Sequence, residues 1–333
     1  MRANMQSVAA AIATTVLLLT APTVGLAQPS ESKAYVGILV MGGLEQRGHL
    51  EQALLQGLRE QGYVEGRNLV LERRYADGSS RLPEFARELA AMKLDAVVTT
   101  CTPSTRAAMQ ATASTPIIMA AVADPVGQNL ITSLAKPGTN ITGLASEAED
   151  ILPKMMELLT SIAPKPERIA VLLEARSDVH PRMWRALAPI AQSLKVELIR
   201  IEVTSPANVN LPLAFQTAVR EKADAILVLP DEPVFLTKRA LIVELAAKHN
   251  LPAFYGAREY VDEGGLMSYG ENLRTAYRNA ASYVSKVVHG AKPGDLPVEQ
   301  PTKFELVVNM KTAKALGITI PQSVSLRANY IIE

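Results

Sequence analysis

Apolar and polar positions along this chain fall into two similar series. Tyr35 to Val40 is a nearly continuous apolar run closed by Gly42 and Gly43, the pattern of a strand buried on both faces of a parallel sheet. Leu50, Ala53, Leu54, Gly57 and Leu58 then recur at helical spacing, and Gly62 ends that helix. Further strands are predicted over residues 68–75, 96–100 and 116–122. Between them, Ser79 or Ser80 is expected to cap a helix that buries Leu82, Phe85, Ala86 and Leu89. Thr102-Pro103 and Asp124-Pro125 both have the cap-plus-proline form of a helix start. The result is a βαβαβαβα series, hence a doubly wound α/β sheet.

The pattern then restarts. Strands are predicted over residues 168–173, 196–203, 225–229 and 253–255, with helical stretches carrying Ile190 and Leu194, then Leu241, Leu245 and Ala246. Residues 136–143 are turn-rich and read as a crossing segment. Late in the chain, Leu273, Ala276, Tyr277, Ala280, Val284, Val287 and Val288 form one helical stripe ended by Gly290, and a strand-like run follows from Phe304 to Val308. With 333 residues the chain exceeds what one hydrophobic core usually fills, so two α/β halves are expected.

Charge and chemistry narrow the function. Thirty-four Lys and Arg against 33 Asp and Glu leave no basic excess for a nucleic acid. A single cysteine, Cys101, excludes an intrachain disulfide and reads as a small buried hydrophobe. His49, His180, His249 and His289 stand in no metal-ligand spacing. There is no GxGxxG after either first strand, no P-loop and no GxSxG elbow. No cofactor and no metal are expected, and an enzyme finds no support in the motifs.

Open parallel sheets bind ligands beyond the carboxyl ends of their strands. Those ends supply the candidate ligand-binding residues: Met41 and Gly42, then Thr100, Thr102 and Ser104, then Asp124 in the first half. In the second half they are Glu174 and Arg176 with Asp178 beside them, Asp231 with Glu232, and Tyr255 and Arg258. Thr102, Asp124 and Glu232 each precede a proline and have helix capping as the competing role; Arg176 and Asp178 have that of a solvated loop pair.

Several motifs recur in order over residues 34–333 and carry a resemblance. They are Leu58, Gly62-Tyr63, Gly66 and Asn68; Thr102-Pro103; Pro116-Ile117-Ile118 with Asp124-Pro125-Val126; and Pro137-Gly138 with Asn140-Ile141-Thr142-Gly143. The tail adds Gly264 to Gly270, Gly290, Pro293, Leu296 to Phe304, Asn309, Ala313, Leu316-Gly317-Ile318 and Pro321. The chain resembles the substrate-binding family of ABC transporters related to tryptophan- and tyrosine-binding importers. That resemblance implies the type I periplasmic binding-protein fold: two Rossmann-like lobes joined by three crossings and closing on a ligand.

It places the first lobe at residues 34–142 plus about 270–300, and the second at 143–269 plus about 303–333. The crossings are expected at Ile141 to Gly143, at Leu266 to Tyr269 and near Phe304. Thr102 and Asp124 match the family's first-lobe motifs. The chain departs from the aromatic amino-acid binders in two places: residues 174–178 replace an Asn-rich loop, and Asp231-Glu232 stands for Asp-Asn. The expected function is a receptor that passes an amino acid or carboxylate-like solute to an ABC permease with its ATPase. A receptor feeding a signalling partner is the alternative, and an enzyme on the same fold comes third. A monomer is expected.

Residues 1–27 read as a cleavable leader, with Arg2 before an apolar run from Val8 to Leu19 and small residues at Gly25 and Ala27. No Cys follows the cleavage site to carry a lipid, so the mature chain is expected in the periplasm and not embedded in the membrane. Intact mass of a periplasmic extract should show a chain beginning near Gln28. A lipidated or full-length membrane-bound species would contradict this.

Overall fold

The computed structural model describes residues 33–162, 164–204, 210–231 and 233–333. The expected leader and Glu232 lie outside the described residues. The first series runs β1 (Ala34–Met41), α1 (Leu44–Glu60), β2 (Leu69–Ala76), α2 (Leu82–Ala91), β3 (Ala96–Thr99), α3 (Thr102–Ala111), β4 (Ile117–Ala123) and β5 (Ile141–Ser146). Its strands form a parallel five-stranded sheet in the order β2-β1-β3-β4-β5. The strands of its centre are buried on both faces, which is why they are apolar throughout and do not alternate.

The second series runs α4 (Leu152–Ser161), β6 (Arg168–Glu174), α5 (His180–Leu194), β7 (Glu197–Val203), α6 (Leu211–Arg220), β8 (Ala225–Val228), α7 (Pro233–Thr237), α8 (Arg239–Lys248), β9 (Ala253–Tyr255), α9 (Arg258–Asp262) and β10 (Met267–Glu271). Helix α10 (Leu273–Val288) then returns to the first sheet. The chain ends with β11 (Phe304–Asn309), α11 (Met310–Ala315), α12 (Gln322–Ser325) and β12 (Tyr330–Ile332). The second sheet has the order β12-β11-β10-β9-β8-β6-β7, parallel except where β10 meets β11.

Each sheet has an apolar layer on both faces. On the first, α1 and α10 cover one face through Leu50, Leu54, Tyr277, Ala280 and Val284. Leu82, Phe85, Ala86 and Leu89 of α2 cover the other. On the second, α4 and α5 lie on one face and α6 and α8 on the other.

Two of the expected crossings, those at Ile141 to Gly143 and at Leu266 to Tyr269, sit elsewhere. Ile141 to Gly143 is not a crossing but part of β5, paired with β4, so the chain leaves the first sheet only after Ser146. The turn-like residues there reflect a register shift between Met119 and Val122, at which Gly143 takes φ +122°. A Cβ on Gly143 would lie 2.3 Å from the Met119 carbonyl oxygen. The return from the second sheet comes after β10, at Asn272, and the last passage lies between Glu299, bridged to Leu144, and Phe304.

Neither Ser79 nor Ser80 caps α2; they form a short 3-10 turn before it. Asp124-Pro125 opens a tight turn, not a helix, because Asp124 takes φ 37° and its carboxylate accepts from the Gly127 N–H at 2.8 Å.

Helices α1 and α10 pack tightly at Gly57, where a Cβ would meet the Arg278 carbonyl oxygen at 2.2 Å. Gly57→Val should force the helices apart and lower unfolding stability by about 1–3 kcal/mol, the usual cost of overpacking. Gly48→Ala, on the same helix and meeting nothing nearer than 3.5 Å, should be neutral or stabilise by up to roughly 1 kcal/mol. Urea unfolding of both variants tests the pair.

Candidate ligand-binding cleft

In a doubly wound sheet, strand order reverses at one point, and the crevice there faces outward at the carboxyl edge. The first sheet reverses between β1 and β3, and the second between β6 and β8. The two crevices face each other. Between them lies a cavity of about 820 Å³ counting its mouth and the solvent space there.

The first lobe lines it with Arg47, the segment Thr100 to Thr102, the small residues Ala121 and Ala123, and Tyr277. The second contributes Asp231, Gly256, Ala257, Tyr260, Glu271 and Phe304, while Ser146 ends β5 of the first sheet and Glu147 begins the passage between the lobes. Alanines on β4 and glycine after β9 leave the space that larger side chains would fill.

The loop from β3 into α3 is fixed by its own hydrogen bonds. Ser104 Oγ accepts from the N–H groups of Thr100 and Cys101 at 3.0 and 3.1 Å, and donates to the Cys101 carbonyl at 2.9 Å. Cys101 is the N-cap residue, so Thr102 occupies the first helical position and is not itself the cap. Its side chain faces the cavity at the amino end of α3, where backbone N–H groups favour an anion. Thr100 Oγ1 is buried on the same wall without a hydrogen-bond partner.

On the facing side, His180 ties the two strand ends together. Its Nδ1 accepts from the Glu174 N–H at 2.9 Å, and its Nε2 lies 2.8 Å from the Pro230 carbonyl oxygen. That pattern puts the ring proton on Nε2. Burial lowers the His180 pKa to about 4, so the ring is neutral. The next residue, Asp231, takes φ 62° and its carboxylate accepts from Ser146 Oγ across the lobes.

Burial raises the Asp231 pKa from 3.8 to about 6, and the Ser146 hydrogen bond pulls the other way. Glu271 is raised well above its ordinary value, first by burial and then by the charges of Asp231, Glu147 and Glu259. Burial, with Asp150 adding to it, also raises Glu147.

The lobes are in contact along both rims. Arg47 Nη2 donates to the Pro233 carbonyl at 3.4 Å, Arg239 Nη1 to that of Gln46 at 3.2 Å, and His49 lies 3.4 Å from Glu259. On the other rim Arg182 meets Asp124 at 2.5 Å and Arg106 meets Asp178 at 3.3 Å. This is a closed arrangement.

Among the residues singled out from sequence, Thr100, Thr102 and Asp231 come together on the cavity wall. Met41, Glu174 and Arg176 line a recess at its mouth, which also touches Thr102 and Asp231. Ser104 holds the loop from behind. Gly42 shapes the turn after β1 at φ +110°. Asp124 is committed to Gly127 and Arg182 at the rim, away from the wall.

Tyr255 is wholly buried, with its ring stacked 4.6 Å from Tyr260. Arg258 points outward, 3.2 Å from Asp262 and over the Tyr330 ring, because α9 begins at that residue and turns Tyr260 inward instead. Sequence reasoning missed Arg47, Ser146, Glu147, Tyr260, Glu271 and Tyr277. Ser146 and Glu147 at the end of β5 and Glu271 ending β10 stand at strand ends; the other three lie within helices and carry no such signal. Among the described residues no group of His, Cys, Asp and Glu is placed to hold a metal ion.

Comparison with known proteins agrees with this geometry. The family model described as ABC transporter substrate binding protein matches residues 36–332. A tyrosine-binding protein of Clostridioides difficile is 26% identical over 271 residues, 80% of this chain and 76% of that one. The crystal structure of an ABC domain in complex with L-Trp, from Streptococcus pneumoniae, superposes with a TM-score of 0.81 at 27% identity, covering 90% of this chain and all of the other. A LacI-family regulator from Arthrobacter in complex with lactose shares the fold at 16% identity, with a TM-score of 0.59 over 83% of this chain and 98% of that one.

The raised acids make closure of the empty cleft depend on pH. Asp231 has its higher pKa in the closed form, so its contribution to closure is present below 3.8 and is lost as pH rises through about 6. Glu271 acts in the same direction. Small-angle scattering of the unliganded protein should therefore show the radius of gyration growing across that interval. Asp231→Asn should reduce the change. A radius that shrinks with rising pH would contradict the assignment.

Proposed function

Since the chain belongs to the ABC transporter substrate-binding family and is a solute-binding receptor for an ABC system, we propose that its cleft captures an amino acid by both its ammonium and its carboxylate. The carrying observation is the placement of opposite charges on opposing walls. Arg47 and the amino end of α3, with the unpartnered Thr100 hydroxyl, form an anion-accepting side. Asp231, with Glu271 nearby, forms a cation-accepting side. A zwitterion spanning the gap meets Arg47 and α3 with its carboxylate and Asp231 with its ammonium.

Closure is then a population shift. A ligand favours the closed form only by the contacts it makes there and not in the open one. Contacts to Arg47, α3 and Asp231 together need both lobes, so the same solute that fills the cleft also holds it shut. In this reading the closed receptor docks on its permease and the ATPase drives uptake. The cycle requires no bond in the solute to be made or broken. The chain reaches the periplasm through a leader spanning residues 1–27.

A thermal-shift screen of amino acids, short carboxylates and amines should identify ligands among the amino acids, because a tight ligand raises apparent stability by mass action. With such a ligand, Thr102→Val should weaken binding about tenfold or more, since a hydrogen bond to a charged group is worth about 1.5–3 kcal/mol. The melting temperature of the unliganded protein should stay close to that of the parent, because Cys101 and not Thr102 caps the helix. A plain carboxylate binding as tightly as its amino acid would overturn the two-ended reading.

A further inference from the structure

The cleft wall carries a charge imbalance that a simple zwitterion leaves standing. Glu147, Asp231 and Glu271 reach the cavity from three separate segments, and Arg47 is the one cation among the described residues of the wall. Neighbouring charges are engaged elsewhere. Glu259 faces His49, Arg239 lies 3.0 Å from Glu263, Arg182 holds Asp124 and Glu149, and Arg274 is exposed. An α-carboxylate on Arg47 and an α-ammonium on Asp231 would therefore leave Glu271 enclosed without a counter-ion, with the half-buried Glu147 adding its charge. Carboxylates in that position either take up protons or attract a cation.

Glu271 is the decisive residue. It ends β10 at the return to α10, and its side chain makes no hydrogen bond or ion pair with any described residue. It keeps partial exposure although it sits deep between the lobes, because the surface it exposes is the cavity. The wall is otherwise built for a polar guest: Arg47 and Thr100 are each 5% exposed, and Arg47 Nε and Thr100 Oγ1 both lack a partner there. Tyr260, Tyr277 and Phe304 supply aromatic surface on the same wall. Such surface packs a methylene chain and attracts a cation at its end.

We propose that the solute is an amino acid whose side chain carries a second positive charge, with Asp231 taking the α-ammonium and Glu271, assisted by Glu147, taking the distal cation. This rests on the two-ended reading of the cleft and adds the class of side chain. The raised pKa values of Glu271 and Glu147 agree with it, because burial and neighbouring acids, which cause them, are what a bound cation offsets. Binding should then release protons from these acids.

Calorimetric titration of the mature chain with L-lysine, L-glutamine, L-tryptophan and 1,4-diaminobutane tests the proposal. L-lysine should bind about tenfold or more tightly than L-glutamine or L-tryptophan, the weight of one charge-assisted hydrogen bond. Glu271→Gln should abolish that preference by bringing L-lysine binding down to the level of L-glutamine, and Glu147→Gln should reduce it. Gln matches Glu in shape and removes a buried charge, so both variants are expected to fold.

Tighter binding of L-tryptophan or L-glutamine than of L-lysine, unchanged in Glu271→Gln, overturns the proposal and leaves the two-ended reading standing. Binding of the diamine alone, lost in Glu271→Gln, supports cation recognition by Glu271 and overturns the two-ended reading. Binding of none of the four overturns the proposal, and the absence of any ligand in the wider amino-acid screen overturns the two-ended reading as well.

Discussion

Parallel pairing of the strands determines where everything else in this protein can be. In a parallel sheet every strand ends at the same edge, and each following helix begins there with N–H groups free of intrahelical partners. At the point where the winding reverses, neighbouring helices leave on opposite faces and the edge opens into a crevice. The first sheet opens between β1 and β3, where Thr100 and Thr102 stand, and the second between β6 and β8, where Asp231 stands. Joining the two sheets by passages after Ser146, at Asn272 and before Phe304 turns two crevices into one cleft.

The cleft is expensive to close empty. Two carboxyl groups, those of Asp231 and Glu271, are raised by burial, and the Arg47 Nε and Thr100 Oγ1 atoms go without partners. Unmatched buried polar groups of this kind oppose the closed form unless something binds them. A receptor benefits from that opposition, because the ligand then supplies what the empty protein lacks and closure reports occupancy. The rim contacts Arg182 to Asp124 and Arg106 to Asp178 are more exposed, and such pairs contribute little on their own.

Several side chains act by holding others in place. Ser104 fixes the β3–α3 loop through three hydrogen bonds without touching the cavity. His180, neutral because it is buried, joins the end of β6 to Pro230 and so sets the position of Asp231. Gly143 lets β5 pass within contact of Met119, and Ser146 at the end of that strand then meets Asp231. Each is remote in sequence from the residue it positions.

The strands, most of the helices and the doubly wound class were legible in the sequence because apolar runs and helical stripes are local patterns. So were Thr100, Thr102 and Asp231, because a strand's carboxyl end can be read from where its apolar run stops. Helix starts were less secure. A polar residue before proline looks the same whether it opens a helix or, as at Asp124-Pro125, a turn, and only the left-handed backbone at Asp124 decides between them.

The wall of the cleft was decided by tertiary structure. Arg47, Tyr260 and Tyr277 lie within helices, and their sequence surroundings are those of ordinary surface or core positions. Glu271 ends a strand, but one whose Gly270-Glu271 sequence carried no distinguishing pattern. What sets these residues apart is that two lobes, far separated along the chain, place them around one cavity. Desolvation and the summed field of charges from different segments then act on them, and neither is a property of any short stretch of sequence.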